Sequence, residues 1–260
     1  MAQIKALVFR AAGINCDLET QHALELAGAQ TDRLHINRII ENTKILDSYQ
    51  IIVIPGGFSY GDDVAAGKIL SNQMIHHLSE PLKKFIDAGK LVLGICNGFQ
   101  VLVKTGLLPG FAGKGADQSI TVTYNDSGKF EDRWVHLEPQ TQNCVFITPG
   151  RRIYLPIAHG EGKVIAKDAP TLKRLKDNNH IAFKYVDADG KEGDYPINPN
   201  GSTDAIAGLV DSTGRVMGLM PHPERFVTRT QHPRWTRPDE KVESDGITIF
   251  ENAVTYLKQS

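Results

Sequence analysis

The stretch Leu91-Val92-Leu93-Gly94-Ile95-Cys96-Asn97-Gly98-Phe99-Gln100 decides the fold. An apolar run closes on Gly-x-Cys-x-Gly, and a helix-compatible segment, Phe99 to Lys104, follows. A strand that turns sharply into a helix at a reactive side chain is a nucleophile elbow, here with Cys in place of Ser. Gly94 and Gly98 are required because a Cβ at either position would collide with neighbouring backbone. Backbone N–H groups at the helix start favour the thiolate of Cys96 over its thiol. Cys96 is therefore placed to act as a nucleophile.

Ile4 to Phe9 and Ile51 to Ile54 are further apolar runs, the second closed by Pro55-Gly56-Gly57. Helical patterns separate the runs: Leu18 to Ala27, with Asn15 or Asp17 placed to cap it, then Val64 to Leu78 and Pro81 to Asp87. Apolar strands alternating with helices predict a parallel sheet covered on both faces. The middle of the chain reads differently. Ser119 to Tyr124, Arg133 to Glu138 and Ile181 to Val186 have the pattern of antiparallel strands. Val186 to Thr203 reads as an irregular connection. Ala205 to Val210 and Val216 to Met220 pair around the turn Asp211-Ser212-Thr213-Gly214. Ile247 to Leu257 closes the chain as an amphipathic helix. No repeat or linker interrupts the pattern. The expectation is one α/β domain over residues 1–260, a central, largely parallel sheet flanked by helices with antiparallel additions.

Composition narrows the function classes. The 260 residues carry a formal net charge of −1, so no global basic field predicts nucleic-acid binding. No apolar stretch is long enough to span a bilayer, and the first ten residues read as a strand rather than a signal peptide. The three cysteines, Cys16, Cys96 and Cys144, are odd in number and widely spaced. That pattern predicts reduced thiols and a cytoplasmic protein. Neither Cys-x-x-Cys nor His-Glu-x-x-His spacing occurs, so no metal is expected.

Two further segments carry chemistry. Met220-Pro221-His222-Pro223-Glu224-Arg225 follows the last strand, where the remaining members of a triad would arrive. Acyl chemistry on a thiol needs a base and a group that orients it, and Cys96, His222 and Glu224 can fill these roles in that order. Two prolines stiffen the loop carrying His222. Pro55-Gly56-Gly57-Phe58-Ser59-Tyr60-Gly61-Asp62 follows another strand at the same sheet edge. Its glycines can turn an N–H of Gly57 or Phe58 toward an oxyanion, with a second N–H from Asn97. Alone, each segment also reads as a buried cysteine or a rigid turn. Together, at the strand ends where α/β sheets bind ligands, they predict a catalytic site. Gln100, one turn beyond Cys96, and His159 in Ala158-His159-Gly160-Glu161-Gly162 are candidates to bind substrate. Each reads equally as an ordinary helix or strand residue. Cys16, next to a helix start, reads as a reactive thiol or as core, and with no evident base core packing is preferred; Cys144 reads as structural. His76 and His77 read as a solvated helix face.

These motifs resemble class I, triad-type glutamine amidotransferases, with a flavodoxin-like fold. The resemblance runs nearly end to end. Gly57-Phe58-Ser59-Tyr60-Gly61-Asp62, His159-Gly160-Glu161-Gly162 and Asn198-Pro199-Asn200-Gly201-Ser202 are similar to the formylglycinamidine branch of that family. Two segments depart from it, Gly61 to Lys68 and the long loop Arg229 to Asp245, and neither touches the triad. The resemblance implies a stand-alone glutaminase that forms a Cys96 thioester and passes ammonia to a partner. That partner would be an ATP-dependent formylglycinamidine synthetase large subunit, joined by a small third subunit. ATP and Mg would sit on the partner, with no cofactor in this chain. A relative using the elbow as a redox sensor or hydrolase is the alternative, but such proteins place their base elsewhere than Pro-His-Pro-Glu. A non-catalytic docking subunit would not need an intact triad.

Overall fold

The computed structural model describes residues 3–111, 118–237 and 243–259. Met1 and Ala2 of the expected first run, and 238–242 of the Arg229 to Asp245 loop, lie outside them. The first half alternates strand and helix: β1 (Lys5–Arg10), α1 (Asp17–Leu26), β2 (Gln30–His35), α2 (Ile36–Glu41), β3 (Ile51–Ile54), α3 (Lys68–Asp87), β4 (Leu91–Ile95) and α4 (Asn97–Lys104). The second half is mostly antiparallel: β5 (Ile120–Thr123), β6 (Glu131–Pro139), β7 (Ile153–His159), β8 (Lys163–Ala166), α5 (Ala169–Asp177), β9 (Ile181–Val186), β10 (Ile206–Val210) and β11 (Val216–Leu219). Helix α6 (Ile247–Gln259) follows.

Among the described residues nine strands form one sheet in the order β2-β1-β3-β4-β11-β10-β9-β6-β7. The five from β2 to β11 are mutually parallel, and the rest pair antiparallel. Strands β3 and β4 are buried at every residue, which is why they read as continuous apolar runs. The α/β expectation, a largely parallel sheet with antiparallel additions, is what the chain forms.

The elements missed in the sequence have physical reasons. Strand β2 lies at the sheet edge and is largely exposed, so Gln30-Thr31-Asp32-Arg33 carries no apolar signal. Strand β7 buries alternate residues, but Pro156 interrupts it. A proline removes a ladder donor and is tolerated at an edge, which is where β7 lies. Helix α5 buries only Leu175, although Asp168 caps it by accepting the Thr171 N–H at 2.8 Å.

Two local expectations are corrected. Neither Asn15 nor Asp17 caps α1. Cys16 is the N-cap residue and makes no side-chain cap bond, while Asp17 pairs with Arg10 and Arg33 at 2.9 and 2.7 Å. Pro81 does not divide α3. The stripe Leu70, Met74, Leu78, Leu82 and Phe85 stays buried through it, and that burial offsets the hydrogen bond that Pro81 cannot donate.

Candidate active site

The site assembles where adjacent parallel strands end together. Register pairs Ile54 with Gly94 and Gly94 with Gly218, so the segments after β3, β4 and β11 emerge side by side. These segments carry Gly56-Gly57, Cys96 and His222. The Cys96 N–H donates to the Leu219 carbonyl at 2.8 Å and so ties the elbow to the strand that delivers His222.

Cys96 has φ 50° and ψ −105°, a conformation costly for any residue with a Cβ. Close packing holds it there. A Cβ on Gly98 would overlap the Ile54 carbonyl, and one on Gly94 would lie 2.7 Å from the Gly98 carbonyl. A Cβ on Gly218 would overlap the Phe99 ring, so the bare backbone of β11 is the seat for that side chain. Phe99 is fully buried, and a buried side chain of this size contributes roughly 2–3 kcal/mol. The strain at Cys96 is thus held by packing along α4.

His222 and Glu224 are both buried, and the His222 Nδ1 lies 2.6 Å from the Glu224 Oε1. Burial opposes a charged imidazole. The Glu224 carboxylate and the two neighbouring thiols, Cys96 and Cys16, outweigh it and hold the His222 pKa well above the usual histidine value. With Nδ1 engaged by the carboxylate, Nε2 is the nitrogen left for proton transfer, and it has no hydrogen-bond partner among the described residues. The His222 N–H donates to the Pro156 carbonyl at 2.8 Å, and the Ala158 carbonyl lies 3.9 Å from the Cys96 Sγ. Strand β7, last in the sheet order, therefore reaches both His222 and Cys96.

A cavity of about 160 Å³ opens beside Cys96, room for a small molecule. Gly57, Phe58, Gln100 and His159 line it. Gly57 has φ 130°, and a Cβ there would come within 2.7 Å of the Asn15 nitrogen. The Phe58 N–H is already bonded to the Gly13 carbonyl at 2.9 Å, which leaves the Gly57 N–H as this loop's candidate donor to an oxyanion. Asn97 is the first residue of α4, where backbone N–H groups have no helical acceptor. Its side chain donates to Asp62 at 3.2 Å and to Gln100 at 3.0 Å.

Gln100 is held at both ends of its amide, accepting from Asn97 and donating to the Glu161 carbonyl. It thus fixes the cavity wall. Burial pushes the His159 pKa down to about 3, so its ring is neutral. The Asn125 Oδ1 accepts the Gly162 N–H at 3.0 Å while its Nδ2 donates to two carbonyls. That oxygen, 3.1 Å from the His159 Nδ1, makes Nδ1 the protonated nitrogen.

Cys16, read from the sequence as without a base, has one beside it. It is buried as predicted, but against the site rather than in inert core. Burial raises its pKa, and the His222 imidazole lies beside it. It follows β1, the strand next to β3, and its N–H donates to the Gly56 carbonyl at 3.3 Å. Only the sheet order could have shown this proximity. Cys144 is far less reactive, since burial pushes its thiol up to about 12 and its sulfur packs 3.6 Å from the Met217 Sδ. In the 229–237 loop His232 packs against Trp134 and Phe226, so that part folds onto its own protein.

Residues 3–257 match the CobB/CobQ-like glutamine amidotransferase domain family, and the chain belongs to that family. Its relatives point to one group within it. The chain is 47% identical to the phosphoribosylformylglycinamidine synthase subunit PurQ of Dehalococcoides mccartyi, over all of both chains. It is 41% identical to the PurQ subunit of Methanococcus maripaludis, over 98% of each. The structure of PurLQS from Thermotoga maritima superposes with a TM-score of 0.74 at 32% identity, covering 98% of this chain and 100% of that one.

Proposed function

We propose that this chain is the glutaminase subunit of a phosphoribosylformylglycinamidine synthase. It hydrolyses glutamine and passes the ammonia to an ATP-dependent synthetase large subunit, which converts formylglycinamide ribonucleotide to formylglycinamidine ribonucleotide. The relatives' names support the pathway. The observation that carries the chemistry is the buried 2.6 Å His222–Glu224 pair beside a nucleophile held at positive φ.

The Cys96 thiolate attacks the side-chain amide carbon of glutamine. The carbonyl oxygen becomes an oxyanion held by the N–H groups of Gly57 and Asn97. One such donor is worth roughly 3 kcal/mol in a transition state. Protonated His222 gives its proton to the leaving nitrogen, ammonia departs, and a γ-glutamyl thioester remains on Cys96. Neutral His222 then takes a proton from water, which attacks the thioester and releases glutamate. Glu224 keeps the imidazole oriented and stabilises its charged form.

Ammonia must reach the partner unprotonated, so the partner covers the cavity mouth. Phe58, Tyr124 and Phe130 line that cavity and are exposed large hydrophobics, as a covered rim requires. A small third subunit, with ATP and Mg on the large subunit, completes the reading. No helix among the described residues is long and apolar enough to cross a membrane, and a cytoplasmic location fits three unpaired cysteines. The test is steady-state glutamate release by the chain alone and with saturating partner. Absence of glutamine hydrolysis in both conditions would overturn the reading.

A further inference from the structure

The cavity beside Cys96 has an acidic wall. Among the described residues Asp62 and Glu161 line it, with no lysine or arginine. The two carboxylates differ in what compensates them. Lys104, the last residue of α4, is drawn more strongly to Glu161 than to Asp62. Asp62 makes no ion pair among the described residues, and its Oδ2 makes no hydrogen bond there. Its Oδ1 accepts from the Gly67 N–H and from the Asn97 Nδ2, each at 3.2 Å, and both donors are neutral. Burial pushes the Asp62 pKa up, the neighbouring Asp63 adds to the effect, and these donors offset it only in part. The site therefore holds a partly buried carboxylate that lacks a cation.

The backbone fixes where that carboxylate stands. Tyr60, Gly61 and Asp62 have φ of 56°, 71° and 53°, a run of left-handed residues. Such conformations are uncommon outside glycine and cluster at ligand clamps. Asn97 ties the turn down, since its Oδ1 accepts the Ser59 N–H at 3.3 Å while its Nδ2 donates to Asp62. Asn97 directly follows Cys96, so Asp62 is one side chain removed from the elbow. With the amide carbon of glutamine at Cys96, the methylene chain runs along this wall of the same small cavity. The α-carboxylate of glutamine finds no side-chain cation there. The α-ammonium is the cation that the wall lacks, and a hydrogen bond between two charged groups is stronger than one between neutral groups.

We propose that Asp62 determines specificity by accepting a hydrogen bond at Oδ2 from the α-ammonium of the substrate, and so restricts the site to amides that carry a free α-amino group. This deepens the glutaminase reading above and rests on it.

The experiment compares glutamine with glutaramate, the same amide without the α-amino group, and follows ammonia release by the partner complex. The parent prefers glutamine in kcat/KM by roughly tenfold to a hundredfold, the range of a hydrogen bond to a charged group. Asp62→Asn keeps an oxygen for the Gly67 and Asn97 donors and removes the charge. In that variant the preference falls to about threefold or less, chiefly through a higher KM for glutamine. A purely structural role would slow both substrates together and leave the ratio unchanged, and that result would overturn the proposal. So would a parent without the preference, or a preference that collapses in Glu161→Gln and survives in Asp62→Asn. If Asp62→Asn does not fold, a crystal structure of Cys96→Ala with glutamine bound decides. The α-nitrogen within hydrogen-bond distance of the Asp62 Oδ2 supports the proposal, and any other partner for it sinks the idea. A parent complex that hydrolyses neither amide removes the glutaminase reading and this proposal with it. A parent that hydrolyses glutamine with a preference indifferent to Asp62 removes this proposal alone.

Discussion

Cys96 and Leu219 are joined by a hydrogen bond from the elbow N–H to the last carbonyl of β11, at 2.8 Å. The bond fixes the depth of the nucleophile relative to the strand that delivers the base three residues later. Cys96 and His222, distant in sequence and proposed as a catalytic pair, are thus brought together by sheet register, before any side chain meets another.

The division of labour predicts a clean separation of activities. Cys96→Ala abolishes glutamine-dependent synthesis by the complex, a loss of at least about a thousandfold by analogy with other nucleophile deletions. Synthesis from added ammonium chloride continues at the parent rate, because Cys96 acts only upstream of ammonia release. Parallel loss of both activities would contradict the assignment.

Glu224→Gln keeps the shape of the side chain and removes its charge. Glu224 is fully buried, and the imidazole loses the partner that favours its charged form. The expected result is a fall in kcat of roughly 10²–10⁴, the upper end being the effect of neutralising the acid of a serine-protease triad. KM changes little, since Glu224 does not line the cavity. Steady-state kinetics on the partner complex reads the split.

Much of this was legible in the sequence, and the reason is chemical. The elbow needs Gly94 and Gly98, the base loop needs its prolines, and the oxyanion loop needs Gly57, so each leaves a mark on residue type. Cys16 leaves none. It reaches His222 because β1 lies beside β3, and sheet order is not written in any local pattern. Strand β7 was hidden by Pro156, although its Pro156 and Ala158 carbonyls touch the catalytic segments. Asn125, which sets the His159 tautomer, stands in a turn with no signal beyond being an asparagine.

The packing beneath the elbow predicts a contrast between two glycines. Gly98→Ala forces a methyl into the Ile54 carbonyl inside closely packed core. Destabilisation of about 3 kcal/mol or more follows, the upper range for overpacking. Gly89→Ala adds a methyl where nothing lies within 4 Å, and only its φ of +82° opposes it, at about 1 kcal/mol. Denaturant unfolding of both variants tests the difference. Equal losses would mean that Gly98 is not tightly enclosed.

His159 predicts a pH dependence whose sign follows from its depressed pKa. The folded value is about 3, and an unfolded histidine titrates near 6.5. Between those values the unfolded chain binds a proton that the folded chain refuses, so stability falls as pH drops through that window. The slope from this one group is at most about 1.4 kcal/mol per pH unit. His159→Gln flattens the profile between pH 6.5 and 4.5 relative to the parent, measured as unfolding midpoints in urea. An unchanged profile would show that the ring can be protonated in the folded state.

The rim of the cavity predicts how the partner controls turnover. Phe58 and Phe130 are 46% and 54% exposed, large apolar areas for a chain acting alone, and Phe58 belongs to the glycine-rich loop that carries the Gly57 N–H. Such a loop can sample states in which that N–H points away from the oxyanion. A partner packing on Phe58 selects the competent state. If that state is populated at about 1% in the free chain, saturation with partner raises kcat up to about a hundredfold. Phe130→Asp weakens the association, about thirtyfold for a central aromatic anchor worth roughly 2 kcal/mol. Maximal turnover at saturating partner stays near the parent value, because Phe130 packs on the rim and does not hold the loop. Phe58→Asp weakens binding and also lowers the saturated rate. Partner titrations of glutamate release give both quantities. Equal turnover with and without partner would show that the oxyanion loop is already formed in the free chain.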